Sequence, residues 1–203
     1  MSLWRINLKP ETQNGIDTAE FCIRRKVVGI GCPVSPSPTT KDEYWQLGEV
    51  LYQAGRGWKA AANAFLYRMG EGHLVWTRNR HGVYFLGQIE SDWRYEDSPD
   101  FVNAGLANTR RCTWFEIGAM DNVPGAVINS FRPRATVQLV DDNSSLLYSQ
   151  LLLAEKTQQL HASRSGLNGA DILSLLSDED LEDAVAVWLQ VIYKCVMFHS
   201  TCK

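Results

Sequence analysis

The side chains with chemical potential in this chain are aromatic and basic. The stretch "HLVWTRNRHGVYFLGQI" (73–89) carries Trp76 and Tyr84 on either side of a short turn with Arg78, Arg80 and His81. Trp93 follows, set between Asp92 and Arg94. Aromatic faces stack on flat rings, which is worth roughly 1–3 kcal/mol for a nucleobase. Basic groups at a turn can meet phosphates or simply remain solvated. Motifs for other chemistries are missing. There is no G-x-x-x-x-G-K-[ST], no G-x-S-x-G and no H-E-x-x-H. "GIGCPV" (29–34) lacks the third glycine and the spaced acidic residue of a dinucleotide fingerprint. The histidines (His73, His81, His161, His199) are dispersed. The acidic run "SDEDLED" (177–183) suits a helix N-terminus, where carboxylates offset the dipole. No catalytic residue, metal ligand or cofactor is assigned.

The bulk numbers set the frame for these groups. With 203 residues, 45% hydrophobic and 21% charged, the chain is long enough for one good core, or one domain plus an extension. Net charge is −3, and all of it lies after residue 143: residues 1–143 hold 16 basic and 16 acidic side chains, residues 144–203 hold 4 and 7. Bulk charge therefore does not drive nucleic-acid binding, which would need a local patch or a pocket. The five cysteines are scattered with no C-x-x-C, as expected of free thiols in a reducing cytoplasm. No apolar run approaches the roughly 20 residues of a membrane helix, and "MSLWRINLKP" does not read as a secretory signal. The expected location is cytoplasmic.

The elements that must position these groups follow from periodicity. Strands are expected at 3–8, 27–34, on both arms of the 73–89 hairpin, at 109–117 and at 134–140. The second hairpin arm is expected to run on toward "SDWRY" (91–95). Helices are expected at 17–26, capped by Asp17 or Thr18, at 41–53 and at 58–69. In the second helix Thr40 and Glu43 fit a capping box, and Tyr44, Leu47, Val50 and Leu51 share a face. "EDSPDF" (96–101) reads as a loop and "DNVPG" (121–125) as a turn. Residues 141–160 switch to helical period, 161–170 have linker composition, and 171–195 are helical again. Helices inserted after the first two strands, with antiparallel strands later, predict an α+β fold. Its sheet should be curved or a partly closed β-barrel, with helices packed on it and a C-terminal helical extension.

The order "LWRIN", helix, "VVGIG", two helices, "GEGHLVW…GVYFLGQIESDW", "CTWFEI" and "VPGAVINSFRPRATVQLV" resembles the EVE and YTH branch of the PUA-like superfamily. It is nearest to the EVE-like modules of modification-dependent restriction proteins. The resemblance covers about residues 1–142 and implies a reader that takes a flipped, often modified base into an aromatic-lined pocket. By position it implies a polar strand end at Asn7, Leu8 and Lys9, a wall at Ile30, Gly31 and Cys32, and a loop tryptophan at Trp93. Trp76 and Tyr84, which also suit the core, join the candidate base-pocket set. Candidate phosphate contacts are Lys9, Arg78, Arg80 and Arg94. The methyl-adenine readers bear a tryptophan where this chain has the small "GIGCP", which leaves room for a bulkier modification or a whole base.

Residues 143–168 are expected to form a helix and linker. Residues 169–203, with "LSDEDLEDAVAVWLQVIYKCVMFHSTCK", resemble the opening of a PD-(D/E)xK-type restriction nuclease domain, with Glu182 at its helical glutamate. The metal-binding Asp and the E-x-K strand of that family have no counterpart here. A plain helical cap is the alternative reading. The expectation is a non-enzymatic nucleic-acid-binding module in a prokaryotic restriction or defence setting. DNA is favoured over RNA, a separate nuclease is a possible partner, and no membrane is involved. Two rivals stand beside it: the specificity part of a nuclease completed in trans, and a PUA-like domain binding a small molecule or protein through the "GIGCPV" groove.

Overall fold

The computed structural model describes residues 1–8, 15–52 and 56–157, together with helical residues 182, 185, 186, 188, 189 and 192. Two compact units are present, Met1–Ser149 and Gln150–Lys203. The first contains the sheet.

β1 (Leu3–Ile6) is buried throughout. α1 (Thr18–Arg25) starts at Asp17, whose carboxylate accepts from the Glu20 amide. It ends at Lys26, which takes the left-handed conformation (φ 54°) and returns its N–H to Cys22 and Ile23. β2 (Val27–Ile30) follows at once. α2 (Lys41–Leu51) opens with the full Thr40/Glu43 capping box. α3 (Arg56–Asn63) continues into a π-helical turn over Ala64–Arg68. β3 (Leu74–Arg78) and β4 (Tyr84–Ile89) pair as a hairpin, with Trp76 opposite Leu86 and Arg78 opposite Tyr84. Its turn is closed by the Asn79 side chain, which accepts from the His81 and Val83 amides, and by Gly82 at φ +78°. Then come β5 (Arg94–Tyr95), α4 (Pro99–Asn103), β6 (Asn108–Gly118), α5 (Gly125–Ser130), β7 (Val137–Leu139) and α6 (Asn143–Lys156).

Six strands run in the order β2-β6-β4-β3-β1-β7, and β5 adds to β6. Only the β1–β3 pairing is parallel. The result is an α+β fold with a mixed sheet curled into a half-barrel and helices packed on it. Side chains alternate across β1. Trp4 and Ile6 join the core formed with Phe21, Val28, Tyr44, Trp58 and Phe65. Leu3 and Arg5 belong to the other face. There Arg5 donates to the Ser130 carbonyl of α5, and Trp76 donates from Nε1 to Ser149 Oγ of α6 at 3.0 Å.

Five expectations are corrected. The second hairpin arm does not run through to Tyr95. It ends at Ile89, Glu90 still donates its amide to the Arg111 carbonyl of β6 (2.9 Å), and the chain then bulges away over 91–93 and rejoins β6 as β5, because Arg110 draws the Ser91 carbonyl and the Asp92 carboxylate toward itself. Residues 96–101 are not all loop, since Pro99 starts α4. The 121–125 turn is a short 3-10 turn leading into α5. The closing strand spans only Val137–Leu139, because Arg5 takes up the carbonyls of Ser130 and Ala135 and holds the preceding residues off the sheet. In α2 Tyr44 and Leu47 pack on the core as expected, but Val50 and Leu51 are 81% and 56% exposed; Trp45 and Gly48 complete the contact, with the Trp58 ring lying directly over Gly48.

Candidate functional site

A cavity of about 520 Å³ opens beyond the ends of β1 and β2. One wall is Gly29–Pro33, the facing rim is Arg134–Val137, and Asn7, Leu8 and Trp58 complete it. Two glycines allow the wall to form. A Cβ on Gly29 would sit 2.7 Å from the Asn108 carbonyl, and one on Gly31 would sit 2.9 Å from the Gly105 carbonyl. Cys32 takes φ +65°, a conformation unfavourable for a residue with a Cβ.

Three tyrosines hold that strained stretch. Tyr44 donates to the Cys32 carbonyl (3.0 Å) and Tyr52 to the Pro33 carbonyl (2.6 Å). Tyr95 accepts from the Val34 amide and donates to its carbonyl (2.8 and 2.7 Å). Burial raises the pKa of Tyr44 strongly and that of Tyr52 to about 12, so both stay protonated as donors. Asn108, wholly buried, donates to the Gly31 carbonyl at 2.8 Å and accepts from Trp93 Nε1 at 2.9 Å. Trp58 donates from Nε1 to the Tyr44 hydroxyl at 3.3 Å and stacks on Tyr52 with centroids 5.7 Å apart. The opposite rim is tied to β1 by the Asn7 amide, which donates to the Thr136 carbonyl at 2.8 Å. Among the described residues the side chains of Asn7 and Arg134 have no hydrogen-bond partner. The cavity is therefore mostly apolar, with an amide and a guanidinium at its mouth, and its size suits a small flat ligand.

The candidates from the sequence fall into groups. Asn7, Ile30, Gly31 and Cys32 come together on this cavity. Trp93 lines a different, shallower recess with Thr39, Thr40, Lys41, Asp42, Tyr67 and Asp92, and reaches the cavity wall through Asn108 and through its ring contact with Tyr44. In that recess Asp92 accepts from Lys41 (2.6 Å), the Trp93 amide (2.7 Å) and Arg110 (2.9 Å). Burial pushes its pKa up, but these donors outweigh it and bring the value to about 2. Trp76 and Tyr84 do not line the cavity. Both are buried, Tyr84 with its ring against Phe131. Arg78 lies over the Phe131 ring, Arg80 pairs with Asp17 (3.8 Å) and Arg94 with Glu96 (3.1 Å). Lys9 lies outside the described residues, as does most of 158–203. Glu182 is helical and exposed.

No family model matches the chain, and no curated protein matches it. Among the described residues, no helix is long and apolar enough to cross a membrane. Nor do three or more His, Cys, Asp or Glu come together there as a metal-binding set.

Sequence reasoning missed Trp58, Asn108 and Arg134. The run "WKAAANAF" (58–65) held a signal for the first, because small alanines leave open space beside a tryptophan on one helix face. Nothing local marks Asn108, whose role depends on strands brought together from far apart.

Proposed function

We propose that this chain is a non-catalytic nucleic-acid-binding module that admits a single base, turned out of its strand, into the cavity between β1 and β2. The observation that carries the reading is the meeting of Asn7 with Ile30, Gly31 and Cys32 on one cavity. These are the positions that the PUA-like resemblance marks as the polar strand end and the facing wall. The Asn7 amide, which has no side-chain partner among the described residues, and the apolar walls suit the hydrogen-bonding edge and faces of a base, whose extrusion costs a few kcal/mol. The small "GIGCP" wall suits a base carrying an added group. A modified base in DNA, within a restriction or defence setting, is the reading we favour. Trp93 then acts on the pocket through Asn108.

The test is a fluorescence titration with oligonucleotides bearing cytosine, 5-methylcytosine, 5-hydroxymethylcytosine or N6-methyladenine, in single and double strands. The wild type is compared with Ala60→Trp, a change on an exposed helical residue that fills the cavity. Base-dependent quenching, lost in Ala60→Trp while the melting temperature holds, is the expected result. Equal binding by both proteins would overturn the pocket assignment.

The largely apolar lining favours one second reading, a small-molecule site. Cavity-dependent binding of free modified nucleosides or other flat ligands, with none to oligonucleotides, would select it.

A further inference from the structure

The rim at residues 130–136 carries charge that the described fold does not neutralise. Arg5 is wholly buried, and its guanidinium donates to the carbonyls of Ser130 and Ala135 and to Gln138 Oε1 at 2.7 Å. Among the described residues no carboxylate pairs with it. Its neighbour in charge is another cation: the Arg5 and Arg78 guanidinium carbons lie 5.3 and 4.9 Å from the centroid of the Phe131 ring. Burial, and then Arg78, lower the Arg5 pKa to about 10, which leaves it charged at neutral pH. Immediately after Phe131 come Arg132 and Arg134, both exposed. Neither has an ion pair among the described residues, and Arg134 lines the cavity mouth.

Elsewhere the pattern differs. Arg25, Lys41, Lys59, Arg80, Arg94 and Arg110 each face a carboxylate. Arg24, Lys26, Arg68 and Arg111 have none among the described residues either, but they stand outside the 130–136 segment, on which Arg134 lines the cavity. Arg78 and the buried Arg5, which share the Phe131 ring, repel one another, and Arg132 and Arg134 add two further exposed charges to the adjoining segment. A bound polyanion relieves that repulsion and releases its own counterions.

We propose that Arg134 at the cavity, with Arg132 and Arg78 on the surface that adjoins it across Phe131, forms a phosphate-binding edge, holding the backbone of the strand whose base enters beside Asn7. This rests on the function proposed above and replaces Arg80 and Arg94, whose charges are already paired, as the phosphate contacts. Arg5 is the clamp that fixes the rim.

The experiment is fluorescence anisotropy with a labelled, unmodified 12-nucleotide single strand, titrated at several salt concentrations. Five proteins are compared: wild type, the double variant Arg132→Gln/Arg134→Gln, Arg78→Gln, Arg80→Gln and Arg94→Gln. Each phosphate contact to a single strand contributes about 0.7 to the slope of log K against log salt. The double variant should lose about 1.4 of slope and Arg78→Gln about 0.7, while Arg80→Gln and Arg94→Gln match the wild type. Melting temperatures control for folding, and all five arginines are exposed. Equal slopes in the double variant and the Arg80→Gln and Arg94→Gln controls would overturn the edge. So would binding of the wild type to phosphatidylserine vesicles with none to the strand.

The same titration on a fully abasic strand separates the two proposals. A slope loss that persists there, with no base dependence in the modified panel, keeps the edge and removes the base pocket. Base dependence without slope loss does the reverse.

Discussion

Arg5 and Arg110 are both buried, both stand on strands, and both hold an irregular stretch of main chain. Arg110 donates to the carbonyls of Phe65 (2.9 Å) and Leu66 (3.1 Å) in the π-helical turn, where the widened helix leaves acceptors to satisfy. It also donates to the Ser91 carbonyl and the Asp92 carboxylate. Among the described residues Arg5 donates to two carbonyls and an amide oxygen, and to no carboxylate. The two regions use the same device with opposite electrostatic outcomes. Around Arg110 and the Trp93 recess the charge is closed off by Asp92, which Lys41 also engages. Around Arg5 and the cavity rim it stays open. Rigidity needs only the hydrogen bonds, so Arg5 fixes the rim without a carboxylate.

Removing each arginine is the strongest way to break that comparison. Arg110→Met leaves the carbonyls of Phe65, Leu66 and Ser91 without this donor and removes one of the donors to Asp92, which keeps Lys41 and the Trp93 amide. Each buried acceptor left unpaired costs about 1–3 kcal/mol, so the loss should exceed about 3 kcal/mol. Arg5→Met also leaves acceptors unpaired, but no carboxylate loses a donor and the repulsion with Arg78 is relieved. Its expected cost is about 2–3 kcal/mol. Urea unfolding of both variants measures the order. A larger loss for Arg5→Met would mean that carbonyls alone hold as firmly as a carboxylate does.

A smaller perturbation probes the cavity wall that faces the Arg5 rim. Gly31→Ala places a methyl 2.9 Å from the Gly105 carbonyl, against main chain that cannot rotate away. Overpacking of this kind costs about 1–3 kcal/mol. Gly125→Ala, with nothing within 4 Å of the new methyl, should be close to neutral. If Gly31→Ala melts like the wild type, the wall is softer than its three tyrosine anchors imply. The rim and the wall would then not differ in rigidity.

The same contrast explains what could be read from the sequence. The Asp17 cap, the Thr40/Glu43 capping box and the Asn79–Gly82 turn involve residues within five positions of each other, and local chemistry decides them. Asn7 and the Ile30–Cys32 wall came from the order of elements, which a sheet topology preserves. Trp76 and Tyr84 were ambiguous because a mid-strand aromatic looks the same in a core as in a pocket. Sheet curl and the helices α5 and α6 put them on the covered face. Arg110 pulls 91–93 off the sheet from about 18 residues along the chain, and Arg5 shapes 130–135 from about 130 away. No window of sequence contains both ends of such a contact. The pairing of Arg80 with Asp17 and the place of Arg134 on the cavity are settled in the same non-local way.

The finest test concerns the carboxylate that separates the two arginines. The pKa of Asp92 is about 2 in the fold, below the roughly 3.9 of an unperturbed aspartate. The fold thus favours the ionised form. Its contribution to stability is complete above about pH 4–5 and is lost as the pH falls from there toward 2. With 72% of its side chain exposed, solvent screens the interaction, and the contribution should stay below about 1 kcal/mol. Asp92→Asn keeps an oxygen acceptor for Arg110 but removes the charge. At pH 6 the variant should be slightly less stable than the wild type in urea unfolding, and by about pH 2 the difference should vanish. All other carboxylates titrate alike in the two proteins, so the difference isolates Asp92. A gap that stayed constant with pH would show that Arg110, like Arg5, is held by neutral acceptors alone, and the distinction between a closed and an open charge would fall.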